Sequence, residues 1–254
     1  MINTPTIIKR IYPLKIQKED PSKLSFIKLQ KSTGPHLSCI DMRPHMPPVV
    51  DQGELGSCTA NAFCGIIGYL QPKKPITSRL FLYYCTRFIA NEVEYDSGAT
   101  LIDGIKALKK FGVCREASWV YNIKKFTLQP PKQCYFEASL NKAIIVQNIK
   151  DTLSNLKRAL AQGYPFVFGM LIYSSFESED VAKTGMVPLP QNNDEILGGH
   201  ALLAVGYCDE KQCFIVRNSW GLLWGDKGYC YIPYSYLLNP NLTSDFWIIK
   251  KMSA

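Results

Sequence analysis

At 254 residues, the chain is long enough for one large domain or two small ones with a full core. Hydrophobic residues at 46% against 20% charged exclude a disordered or fibrous chain, and no stretch approaches the roughly 18 consecutive apolar residues of a membrane-spanning helix. The formal charge of +8 is uneven, since residues 1–40 hold seven Lys and Arg against Glu19 and Asp20.

The first 15 residues mix Pro5, Pro13, Lys9 and Arg10 and lack the apolar run of a secretory signal. A reducing intracellular compartment, or export by a non-classical route, is therefore expected. Residues 1–40 form a basic extension, expected to be extended. Its charge is dispersed, not clustered, so nucleic acid is an unlikely partner. Nine cysteines is an odd count. No CxxC occurs, and His36, His45 and His200 stand far from cysteine pairs, so no metal site is expected. Cys208 and Cys213 enclose Asp209-Glu210-Lys211-Gln212, which reads as a hairpin turn. Most thiols are expected to be buried and inert, with no disulfide needed for the fold.

Residues 43–50 are rich in proline and predict an extended lead-in. A turn over 51–57 follows, and residues 59–70 have apolar positions at helical spacing. Further helices are predicted over 78–93 with Ser78 as cap, over 100–111 with a Lys109-Lys110-Phe111-Gly112 ending, and over 151–162 closing at Gly163. After Gly163 the period changes. Residues 165–172, 201–207, 213–218, 229–233 and 246–249 read as strands of an antiparallel sheet. The fold class is α+β with two lobes: a helical lobe over about 50–150 and a sheet lobe over about 151–250.

Cys58 follows a Gly-rich turn at a predicted helix start, where unpaired N–H groups favour a thiolate. It is expected near the surface, reacting below pH 7. His200 stands behind Gly198-Gly199 at the mouth of an apolar strand, and an imidazole beside a thiol can take its proton. Asn218, at the end of the next strand, can accept one ring N–H and fix the ring without neutralising an imidazolium. Trp220 can cover that bond from water. Gln52 carries an NH2 able to face a developing oxyanion, with the Cys58 backbone N–H as second donor.

Three separated motifs carry a resemblance. Gln52-Gly53-Glu54-Leu55-Gly56-Ser57-Cys58, Gly199-His200-Ala201 and Asn218-Ser219-Trp220-Gly221-Leu222-Leu223-Trp224-Gly225-Asp226-Lys227-Gly228-Tyr229 are similar to those of the papain-like (C1) cysteine peptidases. His200 follows Cys58 by 142 residues and Asn218 by 160, in that family's order. The resemblance covers about residues 41–250. It implies a two-lobed papain-like fold, with a barrel-like β lobe and the active site in the cleft between lobes. It also implies Cys58 as nucleophile, His200 as base, Asn218 as orienter and Gln52 in the oxyanion hole. Gly98 resembles the glycine that pairs with substrate backbone, and Ala201 a wall of the main specificity pocket. Trp220 belongs with the substrate-binding residues.

The departures point to a branch. Leu55 stands where the family usually has a half-cystine, and Thr59 where a Trp usually follows the nucleophile; Leu-Gly-Ser-Cys-Thr-Ala-Asn-Ala is similar to the xylellain-like branch. The resemblance implies a peptide or protein substrate, with no cofactor and no metal. Isopeptidase, deamidase or acyltransferase chemistry would use the same triad, and a non-catalytic binding protein could use the same fold. The basic extension resembles a short inhibitory propeptide, and Leu24-Ser25-Phe26-Ile27-Lys28-Leu29 has apolar residues able to fill subsites and pair with Gly98.

Overall fold

The computed structural model describes residues 10–15 and 37–253. The first half is mainly helical: α1 (Cys58–Leu70), α2 (Arg79–Ala90), α3 (Leu101–Lys110) and α4 (Lys132–Ser139). The second half holds most of one antiparallel sheet: β3 (Phe166–Tyr173), β4 (Ile196–Cys208), β5 (Cys213–Arg217), β6 (Tyr229–Pro233) and β7 (Thr243–Met252). Two strands come from earlier in the chain, β1 (Cys39–Asp41) and β2 (Ala143–Asn148). Short helices α5 (Leu153–Ala161), α6 (Glu179–Thr184) and α7 (Tyr234–Leu237) fill the connections. The strand order is β2-β7-β3-β4-β5-β6. Strand β1 pairs with the far end of β4, beyond Ala204 where the register with β3 stops. The α+β class is as expected. The barrel-like expectation is corrected, because the sheet stays open.

Local chemistry explains the helices. Every residue of α1 from Cys58 to Ile67 is buried, as befits a helix packed on all sides. Helix α2 starts where the Ser78 hydroxyl accepts from Phe81 N–H at 3.1 Å. It stops before the expected residue 93 because Asn91 turns left-handed, with φ 59°. Thr100 caps α3 by accepting from Asp103 N–H at 2.9 Å. Arg43-Pro44-His45 forms a 3-10 turn where an extended segment was expected, since Pro suits the first turn of a helix.

One buried charge shapes the helical lobe next to the cleft. Arg87 is fully buried on α2. Its guanidinium donates to the carbonyls of Val93 at 2.7 Å, Tyr95 at 3.0 Å and Phe126, and lies 4.2 Å from the Tyr83 ring centre. These bonds fold the 93–97 loop back onto the helix, and that loop delivers Asp96 and Gly98. Lysine cannot reproduce the planar fork. Arg87→Lys is expected to cost about 2–3 kcal/mol, roughly 1 kcal/mol per bond lost. Denaturant titration checks this, and an unchanged midpoint would contradict it.

All nine cysteines are free thiols, with only Cys39 exposed and Cys208 half-buried. Leu55 occupies the core in place of a half-cystine, 4% exposed. Dithiothreitol is accordingly expected to move the melting temperature by less than about 2 °C; a larger fall, equivalent to roughly 1 kcal/mol, would expose a stabilising disulfide.

Candidate active site

Neighbouring strands bring two of the polar groups together. His200 lies on β4 opposite Met170 of β3, and Asn218 directly follows β5, the other neighbour of β4. Both are buried, and His200 Nε2 lies 2.9 Å from Asn218 Oδ1. The Ser219 backbone N–H also donates to Oδ1, at 2.8 Å, which fixes which end of the amide faces the ring. An oxygen can only accept, so Nε2 carries the proton and Nδ1 keeps its lone pair. Nδ1 is buried without a partner. Trp220 lies with its ring centre 5.3 Å from that of His200 and tilted by 34°, packed beside the His200–Asn218 bond.

Cys58 opens α1, its backbone at the helix start as the sequence predicts. Its thiol lies against the backbone of Ala201, the residue after His200, and of Thr59. The expectation of a surface thiol is corrected, because Cys58 is 0% exposed. Burial pushes the thiol up to about 11 and the His200 imidazolium down to about 4. In this conformation burial favours the neutral form of each group.

Gln52 is locked from three sides. Its Oε1 accepts from the Ser219 hydroxyl, its Nε2 donates to Leu55 O at 2.9 Å, and its own carbonyl accepts from Tyr121 Oη at 2.8 Å. One N–H of the NH2 remains uncommitted. Asp96 supports the same loop by accepting from Gly56 N–H at 3.0 and 3.1 Å. Asp96 and Tyr121 went unnoticed in the sequence, where neither has a motif. Only the fold places them 40 and 69 residues from their partners.

A strap of residues 10–15 lies across this site. Leu14 N–H donates to Gly199 O at 3.0 Å and Gly199 N–H to Tyr12 O at 3.0 Å, so Pro13 forms a parallel bridge with Gly199. On the other wall Lys15 N–H reaches Ala99 O at 3.4 Å. Gly98 is held at φ +68° by a bond from its N–H to Tyr83 Oη, and a Cβ there would come within 2.0 Å of the Pro13 carbonyl oxygen. Gly98 thus faces the chain's own backbone at Pro13. Leu14 is 7% exposed, against Gly169. The Tyr12 ring centre is 6.0 Å from those of both His200 and Trp220, and its hydroxyl bonds to Glu177. Arg10 pairs with Asp51 at 2.8 Å and lies 5.2 Å from the Trp220 ring centre, and Lys15 pairs with Glu92. Residues 24–29, expected in this role, lie outside the described residues. Ala201 is buried at the thiol.

Among the described residues no cluster of three or more His, Cys, Asp or Glu could hold a metal, and no helix is long and apolar enough to cross a membrane.

Comparison with known proteins agrees with this geometry. The family model described as papain family cysteine protease matches residues 38–240. An uncharacterized peptidase C1-like protein of Acanthamoeba polyphaga mimivirus is 44% identical over 217 residues, covering 80% of this chain and 70% of its own. The crystal structure of xylellain, a cysteine protease from Xylella fastidiosa, is 37% identical, with a TM-score of 0.87 over 97% of this chain and 99% of that one. Cathepsin S of Mus musculus is 26% identical over 238 residues, covering 88% of this chain and 66% of its own. The chain belongs to the papain family of cysteine peptidases, with a structure similar to that of xylellain.

Proposed function

We propose that Cys58 is the nucleophile of this peptidase, with His200 as its base, and that residues 10–15 are a built-in inhibitor. The observation that carries the catalytic reading is the buried His200–Asn218 bond at 2.9 Å, which leaves Nδ1 as the basic nitrogen. In the first step the thiol proton moves to Nδ1 as sulfur bonds to the peptide carbonyl carbon. The oxyanion takes hydrogen bonds from the free Gln52 N–H and the Cys58 backbone N–H. Collapse expels the amine, which takes the proton from Nδ1. Water, giving a proton to Nδ1, then cleaves the thioester and releases the acid.

The inhibitory reading rests on the strap's contacts with Gly98, Gly199 and Trp220. A tether holds the strap at about millimolar effective concentration, so only about 4 kcal/mol of affinity suffices to close it. Burial of Leu14 supplies roughly 1.5–3 kcal/mol, and the backbone bonds add about 1 kcal/mol each. The Arg10–Asp51 and Lys15–Glu92 pairs add little in solvent.

Closure is also linked to protons. In the closed form His200 titrates near 4, below its ordinary 6.5. The open form therefore binds more protons between those values, and falling pH through that window favours opening. Cys58, raised to about 11 from 9, favours closure below pH 9 and loses that contribution as pH rises toward 11.

Leu14→Asp puts an unpaired charge where Leu14 is buried. In the full chain it is expected to raise kcat/KM on a small fluorogenic peptide at least about tenfold, or 1.4 kcal/mol. A folded variant with unchanged kinetics would remove the inhibitory reading. Gln52→Ala in the Leu14→Asp background is expected to lower kcat about 10²–10³-fold, and Cys58→Ala to abolish turnover. Residual turnover with Cys58→Ala would overturn the nucleophile assignment, and unchanged kcat with Gln52→Ala the oxyanion role.

A further inference from the structure

The cavity beside α1 is separate from the cleft. It measures about 250 Å³, and neither the strap nor Gly98, Gly199 or Cys58 lines it. One wall is apolar, with Pro47 and Ile76. The helix floor is flat because Gly65 and Gly68 carry no side chains; a Cβ on Gly65 would come within 3.6 Å of Arg217 Nε, and one on Gly68 within 2.7 Å of Pro47. The polar part of the lining is half cationic, with His45, Asn61, Lys74, Thr77, Arg79 and Arg217 and no carboxylate.

Of the two guanidiniums, that of Arg217 is under-compensated. Arg217 is 6% exposed and forms no ion pair among the described residues. Its donors reach only neutral oxygens, the carbonyls of Pro47 at 2.6 Å and Pro48 at 2.5 Å and Tyr229 Oη at 3.3 Å. Burial without a counter-charge pushes its pKa down. Arg79 gives Nη1 to Asp51 O and Asn61 Oδ1, its Nη2 lies 3.6 Å from Glu116 Oε1, and the Asp51 carboxylate also feels its charge. Its Nε is buried without a partner. The Thr77 hydroxyl, on a residue 5% exposed, has no nitrogen or oxygen partner and faces the Cys64 thiol. Two orphan donors, Arg79 Nε and Thr77 Oγ1, beside a buried Arg217 without a counter-charge and among apolar residues, describe a receptor for an anion carried on a compact apolar body.

We propose that this cavity binds a small organic anion, a phosphate monoester or a carboxylate on a flat apolar group. The anionic head lies between Arg79 and Arg217 with Thr77 donating to it, and the body lies against Pro47 and Ile76. Occupancy bears on the catalytic loops, since Arg79 holds Asp51 O and Asn61, and Asn61 donates to Ser57 O at 2.9 Å.

The test is calorimetric titration of the full chain, in low-salt buffer free of phosphate, with phenyl phosphate, benzoate and benzyl alcohol. Saturable binding of phenyl phosphate or benzoate, or of both, is expected, and none of benzyl alcohol; the stronger of the two anions identifies the head group. Lys74→Met and Thr77→Val are each expected to weaken binding at least about fivefold, whereas Cys58→Ala, altered in the cleft, binds as the unmodified chain does. No saturable binding of either anion, equal binding of benzyl alcohol, or an affinity indifferent to both Lys74→Met and Thr77→Val would overturn the proposal.

Discussion

A single buried hydrogen bond, from His200 Nε2 to Asn218 Oδ1, is the constraint around which the rest of the site is arranged. It forms only if β4 and β5 pair in one register, which places Leu203 opposite Arg217 and leaves Asn218 at the strand end. A slip of one residue would turn His200 to the other face of the sheet. The bond also fixes the chemistry, because it leaves the lone pair on Nδ1. Ser219 serves twice: its N–H orients the Asn218 amide and its hydroxyl orients that of Gln52. Orientation of the His200 ring and of the Gln52 amide thus passes through one residue of the Asn-Ser-Trp-Gly block.

The strap exploits the openings that the site leaves for substrate backbone. Gly98 and Gly199 let a main chain approach closely, and in the proposed closed state that chain is Tyr12-Pro13-Leu14. The Tyr12 ring lies against His200, and burial there favours the neutral imidazole. In this account inhibition is therefore steric and electrostatic at once.

Much of this was legible in the sequence because the chemistry is local to short motifs. Gln52, Cys58, His200, Asn218 and Trp220 each sit in a block whose turn residues and apolar flanks announce the element that carries them. The lobes followed from the change of period after Gly163. Strands β1 and β2 were missed for different reasons. The first is three residues long, and the second alternates poorly and shifts register twice against β7. The strap was expected from charge and proline content but placed at residues 24–29, which carry more apolar side chains. Residues 24–29 lie outside the described residues; among the described ones, 10–15 meet the glycine walls, where Pro13 has no N–H to satisfy and Leu14 packs against Gly169. Burial of Cys58 could not be read locally, since it depends on what packs around the start of α1.

The central claim is that docking of the strap sets the protonation of the Cys58–His200 pair. The most direct measurement is the rate of Cys58 alkylation by a small reagent between pH 5 and 8, mapped by mass, for the full chain and for Leu14→Asp. The account predicts slow alkylation of the full chain near pH 7.5 that quickens as pH falls toward 5, where protonation of His200 favours release. Leu14→Asp is predicted to react fast across the range, as an exposed thiolate–imidazolium pair does. Equal rates and equal pH profiles in the two proteins would contradict it.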